Sequence, residues 1–227
     1  MLTCSICGFQ KFTSNKVLWP ELINAWQLSA EEAAYIDEQQ GRKCDSCGAS
    51  LRVVALGNAL REAWGTSLSI NDYVCQPEAQ TPRILDINGA LVLSEALANL
   101  PNYLRIDFPQ VDLQALPFPD QSFDTVMHSD TLEHIERPFL ALEECRRVLS
   151  QGGRLCITVP IIVGRLTRSR AGLANSHHGS EATAAEDLLV HTEFGVDAWT
   201  FLVRAGFSRI MFHCVEYPAA IAMTALK

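Results

Sequence analysis

Two C-x-x-C-G motifs are the residues of this 227-residue sequence whose spacing most directly indicates chemistry. They are Cys4 with Cys7 and Cys44 with Cys47. Two residues between paired thiolates let both sulfurs of a tight turn face one ion, and two such turns supply the closed tetrahedral ligand set of a structural zinc. Redox-active dithiols and a rubredoxin-type iron site remain the alternatives. The other cysteines are isolated in the sequence and have no ligand spacing.

Imidazoles and carboxylates form a second set of candidate groups. His191 and His134 are candidate general bases, because a histidine with an ordinary pKa can take up a hydroxyl proton at neutral pH. A purely structural histidine is the alternative. Asp130, Glu133 and His134 lie in the pattern D-x-x-E-H, in which Asp130 and Glu133 are spaced as a capping box beside a locally bonded His134.

The elements that must position these groups are predicted from residue periodicity. Residues 123–127 have strand character, residues from Pro138 onward carry apolar side chains at helical spacing, and residues 154–159 are again strand-like. Pro138 suits the first helical position, and Gly152-Gly153 ends the helix and turns the chain. The pattern predicts one βαβ unit of an open α/β sheet.

Two further strands are predicted upstream, at residues 83–90 and 103–107. The second ends at Asp107. A carboxylate in that position can accept hydrogen bonds from both hydroxyls of a ribose, as in other open α/β sheets that bind nucleosides. An ordinary carboxylate in a strand-end turn is the alternative.

Three sequence segments support a resemblance to a known family: L-P-F-P-D-Q-S-F-D, L-E-H and R-R-V-L-S-Q-G-G-R-L-C-I-T-V-P. They resemble the second half of the core domain of class I S-adenosylmethionine-dependent methyltransferases, in the type 11 branch. The resemblance extends over residues 82–227. It implies S-adenosylmethionine as cofactor and a seven-stranded, mostly parallel Rossmann-like α/β sheet. That sheet ends in an antiparallel hairpin of residues 210–215 and 220–226, and here a small zinc ribbon module precedes it.

The family's first strand ends in an acidic residue followed by three alternating glycines, which let the backbone pass close to the cofactor. This sequence keeps the acid as Asp86 but has Asn88, Ala90 and Val92 at the alternating positions, with one displaced glycine at Gly89. Asn88-Gly89 is predicted to form the turn, because asparagine tolerates left-handed backbone conformations. The missing glycines favour an alternative function, a catalytically silent methyltransferase fold that serves as a binding or scaffold protein.

The resemblance also implies roles for residues after the later strands. Asp112 and Leu113 match the acidic and apolar pair that meets the adenine. His128 and Ser129 lie at the end of the fourth strand, beside the methionine part of the cofactor.

The D-x-x-E-H pattern is also a metal-ligand set in a few related methyltransferases. We favour the capping-box interpretation, because L-E-H is common in this branch.

The remaining inferences concern the whole chain. We expect residues 1–66 to form a zinc-binding module with a linking helix, and residues 67–227 to form the methyltransferase-like domain. Ser29 with Glu32 predicts a helix start between the cysteine pairs. The net charge of −8 argues against a nucleic acid partner, which would require clustered cations. With no apolar run long enough for a signal peptide or a membrane span, we expect a cytoplasmic protein.

The acceptor is expected to be a small molecule. Some bacterial sugar and polysaccharide-modifying methyltransferases have a similar zinc module, which suggests a sugar or glycan hydroxyl. Residues 161–190 lack a strong period and are predicted to be a lid or substrate loop, with the acceptor between His128 and residues 161–195. The arginines of that loop, Arg165, Arg168 and Arg170, either grip an anionic substrate or are solvated.

Overall fold

The computed structural model describes residues 2–177 and 188–227. The helices are α1 (Pro20–Ala25), α2 (Ala30–Gly41), α3 (Leu51–Ala63), α4 (Ile70–Tyr73), α5 (Val92–Leu97), α6 (Pro138–Val148) and α7 (Trp199–Arg204). The strands are β1 (Phe12–Thr13), β2 (Lys43–Cys44), β3 (Ile84–Ile87), β4 (Tyr103–Ile106), β5 (Phe123–Ser129), β6 (Leu149–Thr158), β7 (Ile161–Ile162), β8 (Arg168–Ser169), β9 (Thr192–Gly195), β10 (Arg209–Val215) and β11 (Ala220–Leu226).

The central sheet has the strand order β10-β11-β6-β5-β3-β4, six strands within the described ranges. β4, β3, β5 and β6 are parallel, and β11 pairs antiparallel with both β6 and β10. The Rossmann-like α/β architecture with an antiparallel C-terminal hairpin is therefore confirmed. The sheet has six described strands where we expected seven, because residues 107–122 run as turns and bends after β4. Three prolines in that stretch lack the N–H that strand pairing requires.

Local sequence signals account for the elements around the sheet. Ser29 Oγ accepts the Glu32 N–H at 3.1 Å while a Glu32 carboxylate oxygen accepts the Ser29 N–H at 2.7 Å, which is the predicted capping box at the start of α2. Pro138 is the first residue of α6, as predicted. The predicted βαβ unit is observed as β5, α6 and β6.

The predicted linking helix, α3, covers one face of the central sheet. Its buried residues share an apolar cluster with Ile6 from the N-terminal segment and with Met127 and Cys156 from β5 and β6. A second cluster fills the opposite face, beneath α6 and α7. The division into residues 1–66 and 67–227 stays a prediction, and the two parts share one core through α3.

The predicted substrate loop contains β7 and β8, which pair with β9 in the order β7-β9-β8. Residues 178–187 of this loop, including His178, lie outside the described residues. Across the parts of the chain that are described, no helix is both long enough and apolar enough to cross a bilayer.

Candidate active site and metal centre

The four predicted metal ligands lie together at the N-terminus. The Sγ atoms of Cys4 and Cys47 are 3.6 Å apart, as are those of Cys7 and Cys44, and all four sulfurs lie within 4.8 Å of one another. A tetrahedral zinc with Zn–S bonds of about 2.3 Å requires sulfur separations of about 3.8 Å. The glycines that follow the two pairs, Gly8 and Gly48, have φ values of +78° and +76°, and this left-handed conformation closes each C-x-x-C turn. The donor set therefore fits a tetrahedral metal ion.

A cavity of about 510 Å³ lies at the carboxyl ends of β3, β4 and β5. We call it the polar cavity. Six of the predicted site residues line it: Asn88, Asp107, Asp112, Ser129, His134 and His191. They come from segments up to a hundred residues apart in the chain, which the parallel strands bring to one edge of the sheet.

Four other predicted residues do not line this cavity: Asp86, Gly89, Leu113 and His128. Asp86 and His128 are fully buried, and Leu113 packs in the apolar core beneath α6. The side chains of Asp86, His128 and Leu113 are therefore not placed to contact a cofactor directly. For Asp86 and His128 the physical reason is strand alternation, because successive side chains of β3 and β5 point to opposite faces of the sheet and into the two clusters.

Asp86 instead supports the turn that follows β3. Its carboxylate accepts the Ser94 hydroxyl at 2.5 Å and the Tyr103 hydroxyl at 2.6 Å, and Ser94 Oγ in turn accepts the Ala90 N–H at 2.6 Å. Burial raises the pKa of Asp86. Sequence reasoning missed Ser94, although its spacing of eight residues from Asp86 across a turn is a usable signal.

The turn itself forms as predicted. Asn88 and Gly89 have φ values of +62° and +70°, and Asn88 Oδ1 accepts the Phe108 N–H at 2.9 Å. A Cβ added at Gly89 would lie 2.5 Å from the Arg105 guanidinium carbon. The Arg105 side chain thus covers the turn.

Arg105 also holds the predicted ribose-binding carboxylate. Its Nη2 donates to Asp107 Oδ1 at 2.7 Å, and its Nε lies 3.0 Å from both carboxylate oxygens. The two side chains are 46% and 45% exposed, so each can rearrange at modest cost. Residues spaced two apart on a strand share a face, so the R-x-D pattern could have predicted this pair.

Asp112 lies at the rim of the same cavity. Its Oδ1 accepts the Gln114 N–H at 2.8 Å, so the carboxylate stays exposed in a local turn. Nucleoside recognition needs accessible acceptors at the ends of neighbouring strands. Asp107, at the end of β4, is half-exposed, and Asp112, in the turn segment that follows, is exposed. Both are accessible acceptors once Arg105 moves, and the residues present fit a nucleoside cofactor.

Asp130 does not cap a helix, so the capping-box prediction is wrong. Thr131 precedes the 3-10 turn Leu132–His134, and no side chain caps that turn. The Asp130 carboxylate instead accepts from Arg52, from Gln40 Nε2 at 3.0 Å and from Thr158 Oγ1 at 2.9 Å. The metal-ligand alternative is not supported either. Among the described residues, the four cysteines form the group whose ligand atoms lie close enough together to hold a metal ion, and Asp130, Glu133 and His134 do not form such a group.

Two imidazoles flank the polar cavity. His134 Nδ1 lies 3.0 Å from the Leu189 carbonyl oxygen, so it donates there, and Nε2 lies 3.6 Å from a Glu133 carboxylate oxygen. Burial, reinforced by the nearby Asp130 charge, raises the pKa of Glu133 well above its ordinary value. The main chain of His191 is fixed by its N–H, which donates to the Glu133 carbonyl at 2.8 Å.

Two further cavities adjoin the polar cavity. One, of about 410 Å³, lies between the N-terminal helices and the sheet and shares Ser129, Asp130, His134 and Leu188 with it. The other, of about 920 Å³, lies along residues 167–175 and α7 and shares Glu136 and His191 with it. We call them the apolar cavity and the loop cavity.

The arginines of the predicted substrate loop have structural partners. Arg165 makes a two-point ion pair with Glu32 of α2, with N–O distances of 2.7 and 2.8 Å. Arg168 and Arg170 both pair with the buried Glu193. These contacts tie the loop to α2 and to β9, so all three arginines have carboxylate partners within the protein.

Comparison with known proteins adds independent evidence. Residues 81–157 match the family model described as "Methyltransferase domain". The ubiquinone/menaquinone biosynthesis C-methyltransferase UbiE of Hahella chejuensis is 46% identical over 86 residues, covering 33% of this chain and 34% of that protein. A probable S-adenosylmethionine-dependent methyltransferase of Mycolicibacterium smegmatis is 35% identical over 99 residues, covering 42% and 37%. The chain spans about a third of the length of the curated relatives it matches.

Solved structures with a similar chain course include the CurJ carbon methyltransferase, at 12% identity and a TM-score of 0.45, covering 91% of this chain and 69% of that one. A possible histamine N-methyltransferase of Thermotoga maritima has 14% identity and a TM-score of 0.39, covering 74% and 89%. The family match at residues 81–157 spans the parallel strands of the central sheet.

Proposed function

We propose that this protein transfers a methyl group from S-adenosylmethionine to a small-molecule acceptor. The observation that carries the proposal is the polar cavity, where Asn88 of the Asn-Gly turn and the accessible carboxylates of Asp107 and Asp112 line one space with two imidazoles. The methyltransferase family match over residues 81–157 supports the same reaction.

In this proposal the chain's own residues bind and orient the cofactor. Asp107 accepts hydrogen bonds from the ribose hydroxyls, Asp112 accepts from the adenine amine, and the turn at Asn88-Gly89 cradles the amino acid part. When bound, S-adenosylmethionine supplies an activated methyl group on its sulfonium. Ser129, at the end of β5, would lie beside the bound methionine part of the cofactor. Much of the acceleration then comes from holding the acceptor in line, since proximity alone contributes several orders of magnitude.

His134 and His191 are the proposed proton acceptors. With a hydroxyl acceptor, the oxygen would form the new bond to the methyl carbon as the carbon–sulfur bond of the sulfonium breaks, S-adenosylhomocysteine would leave, and the hydroxyl proton would pass to an imidazole nitrogen. His134 suits this role because its ring lines both the polar and the apolar cavity, and a neutral imidazole nitrogen can accept a proton.

A structural zinc on Cys4, Cys7, Cys44 and Cys47 belongs to the same proposal. The sulfur separations of 3.6 Å support it. The zinc holds the start of α3 and takes no part in the reaction.

The test is binding of S-adenosylhomocysteine to the purified chain by calorimetry. We expect binding that Asp107→Ala abolishes, with a rise in melting temperature that follows ligand concentration. Glu95→Ala, an exposed carboxylate on α5, is the control. No heat at millimolar ligand would favour the alternative, a silent scaffold protein, for which the covered turn at Gly89 is the specific observation.

A sugar or glycan hydroxyl is one acceptor class to be tested. The loop cavity, with its polar lining, is the space that would suit it. Methyl glycosides offered with S-adenosylmethionine would yield S-adenosylhomocysteine if this acceptor class is right.

A further inference from the structure

We propose that the methyl acceptor is an apolar small molecule with one protic head group, and that it binds in the apolar cavity between the N-terminal helices and the sheet. The statement that this molecule is methylated rests on the proposed function. The statement that it binds rests on the cavity alone.

The walls of this cavity are apolar side chains that the protein leaves partly uncovered. Leu18, Trp19, Leu22, Leu28 and Ile36 line it, and each is only partly buried. They come from α1, α2 and the segments beside them, and Ser129 and Pro160 line the cavity from the ends of β5 and β6. Apolar surface in a concave site of this kind gains free energy when an apolar ligand covers it.

Polar groups converge at the opposite end of the cavity. Gln40, Arg52, Ser129, Asp130 and His134 lie there, at the carboxyl end of β5. Arg52 and Asp130 neutralise each other, and the Asp130 carboxylate also accepts from Gln40. A ligand here would therefore meet hydrogen-bonding groups without net charge at its head, and apolar side chains along its body. This favours a neutral hydroxyl or enol head over a phosphate or carboxylate.

The apolar cavity opens onto the polar cavity at the place where transfer would occur. The two share Ser129, Asp130 and His134. A head group at this boundary is therefore next to the nucleoside side and within reach of the His134 ring. The apolar cavity has a volume of about 410 Å³, which lies in the range of small-molecule sites, roughly 300–1,000 Å³, and is too small for a folded partner.

The loop cavity is the competing location. It is larger, at about 920 Å³, but it meets the polar cavity through Glu136 and His191 and not through the strand-end residues Ser129 and Asp130. Its lining includes four arginines and two acidic residues. A polar acceptor such as a glycoside would select this space, so the two locations predict opposite ligand preferences.

The experiment measures binding of phenol, 4-butylphenol and 4-hexylphenol, with methyl glucoside as the polar probe, by calorimetry in the presence of saturating S-adenosylhomocysteine. We expect the alkylphenols to bind, with affinity rising roughly three- to fourfold per buried methylene. Trp19→Ala should weaken 4-hexylphenol binding by roughly tenfold, and Leu22→Asn should weaken it in the same direction. Trp199→Ala, at an exposed tryptophan outside all three cavities, is the matched control.

Two outcomes would overturn the inference. One is binding of methyl glucoside without binding of the alkylphenols. The other is alkylphenol binding that neither Trp19→Ala nor Leu22→Asn changes while both variants keep the wild-type melting temperature. If S-adenosylhomocysteine fails to bind but the alkylphenols bind in a Trp19-dependent way without it, the proposed reaction fails and the apolar site stands.

Discussion

Arg52, in the first turn of α3, donates to the carboxylate of Asp130 at the end of β5. α3 begins four residues after Cys47, so this ion pair connects the cysteine cluster to the boundary between the polar and apolar cavities. Asp130 has a φ of +46°, which is unusual for a residue with a side chain. The contacts with Arg52, Gln40 and Thr158 hold it there.

Breaking this pair should destabilise the fold. Arg52→Met leaves a carboxylate that is only 8% exposed without its main cation, and we expect a loss of about 3 kcal/mol in the free energy of unfolding. Urea denaturation measures it. Adding Asp130→Asn should recover part of the loss. The exposed pair Arg83 and Asp124 is the control, for which Arg83→Met should cost about 1 kcal/mol or less. Strict additivity of Arg52→Met and Asp130→Asn would show that the pair is not coupled.

The cysteine cluster predicts a metal content. Purified protein should contain about one zinc per chain, because two C-x-x-C knuckles supply one closed tetrahedral set. Cys44→Ser should lose the metal and lower the melting temperature, since metal affinity contributes directly to folding. Elemental analysis and thermal unfolding measure both. Cys214→Ser, at an exposed cysteine on β10, should change neither. Protein without metal and with four freely titrating thiols would contradict the assignment.

Arg105 should compete with the nucleoside for Asp107. Because both side chains are about half exposed, removing the guanidinium should tighten S-adenosylhomocysteine binding by up to about fivefold at low ionic strength. Added salt should improve the affinity of the wild type by screening the pair, and should not improve that of Arg105→Ala. Calorimetry at two salt concentrations tests this, with Arg209→Ala as the control. Weaker binding by Arg105→Ala would show that the guanidinium holds the ligand.

The two imidazoles can be separated by kinetics. His134→Ala or His191→Ala, whichever removes the base, should lower turnover of a hydroxyl acceptor by roughly a hundredfold or more. The affinity for S-adenosylhomocysteine should stay nearly unchanged. His213→Asn is the control, because His213 bonds Thr224 within the C-terminal hairpin. Full turnover in both variants would leave proximity as the source of the acceleration.

His128 should make the protein sensitive to acid. Burial lowers its pKa from the ordinary 6.5 to about 4, so between these values the unfolded chain binds a proton that the native ring does not. Stability contributed by the neutral ring is therefore lost as the pH falls through this window, by up to about 3 kcal/mol.

His128→Leu should remove this dependence, and urea denaturation at pH 7 and pH 4.5 compares the two proteins. The raised pKa of Glu133 acts in the opposite direction in the same window, but it is common to both proteins and cancels in the difference. Because both ring nitrogens of His128 lack partners among the described residues, the variant should be no less stable than the wild type at pH 7. Parallel pH profiles would contradict the prediction.

Much of the fold followed from the sequence because its determinants are local. The β5, α6 and β6 unit is encoded by periodicity and by Pro138, the start of α2 by Ser29 with Glu32, and the metal cluster by the spacing of its cysteines. Asp107 was predicted as a site residue from its place at the carboxyl end of a parallel strand, and Asp112 from the family resemblance; both line the polar cavity.

Only the tertiary structure decided what surrounds those residues. Arg52 and Asp130 are 78 positions apart, and nothing in either local sequence predicts their contact. The burial of His128 depends on which face of β5 the helices cover, and the cover of Gly89 by Arg105 depends on the register between β3 and β4. The apolar cavity likewise exists because α3 packs on the sheet and holds α1 and α2 beside the strand ends. Such relationships are set by how distant elements pack, whereas helix caps, knuckles and strand patterns are set within a few residues.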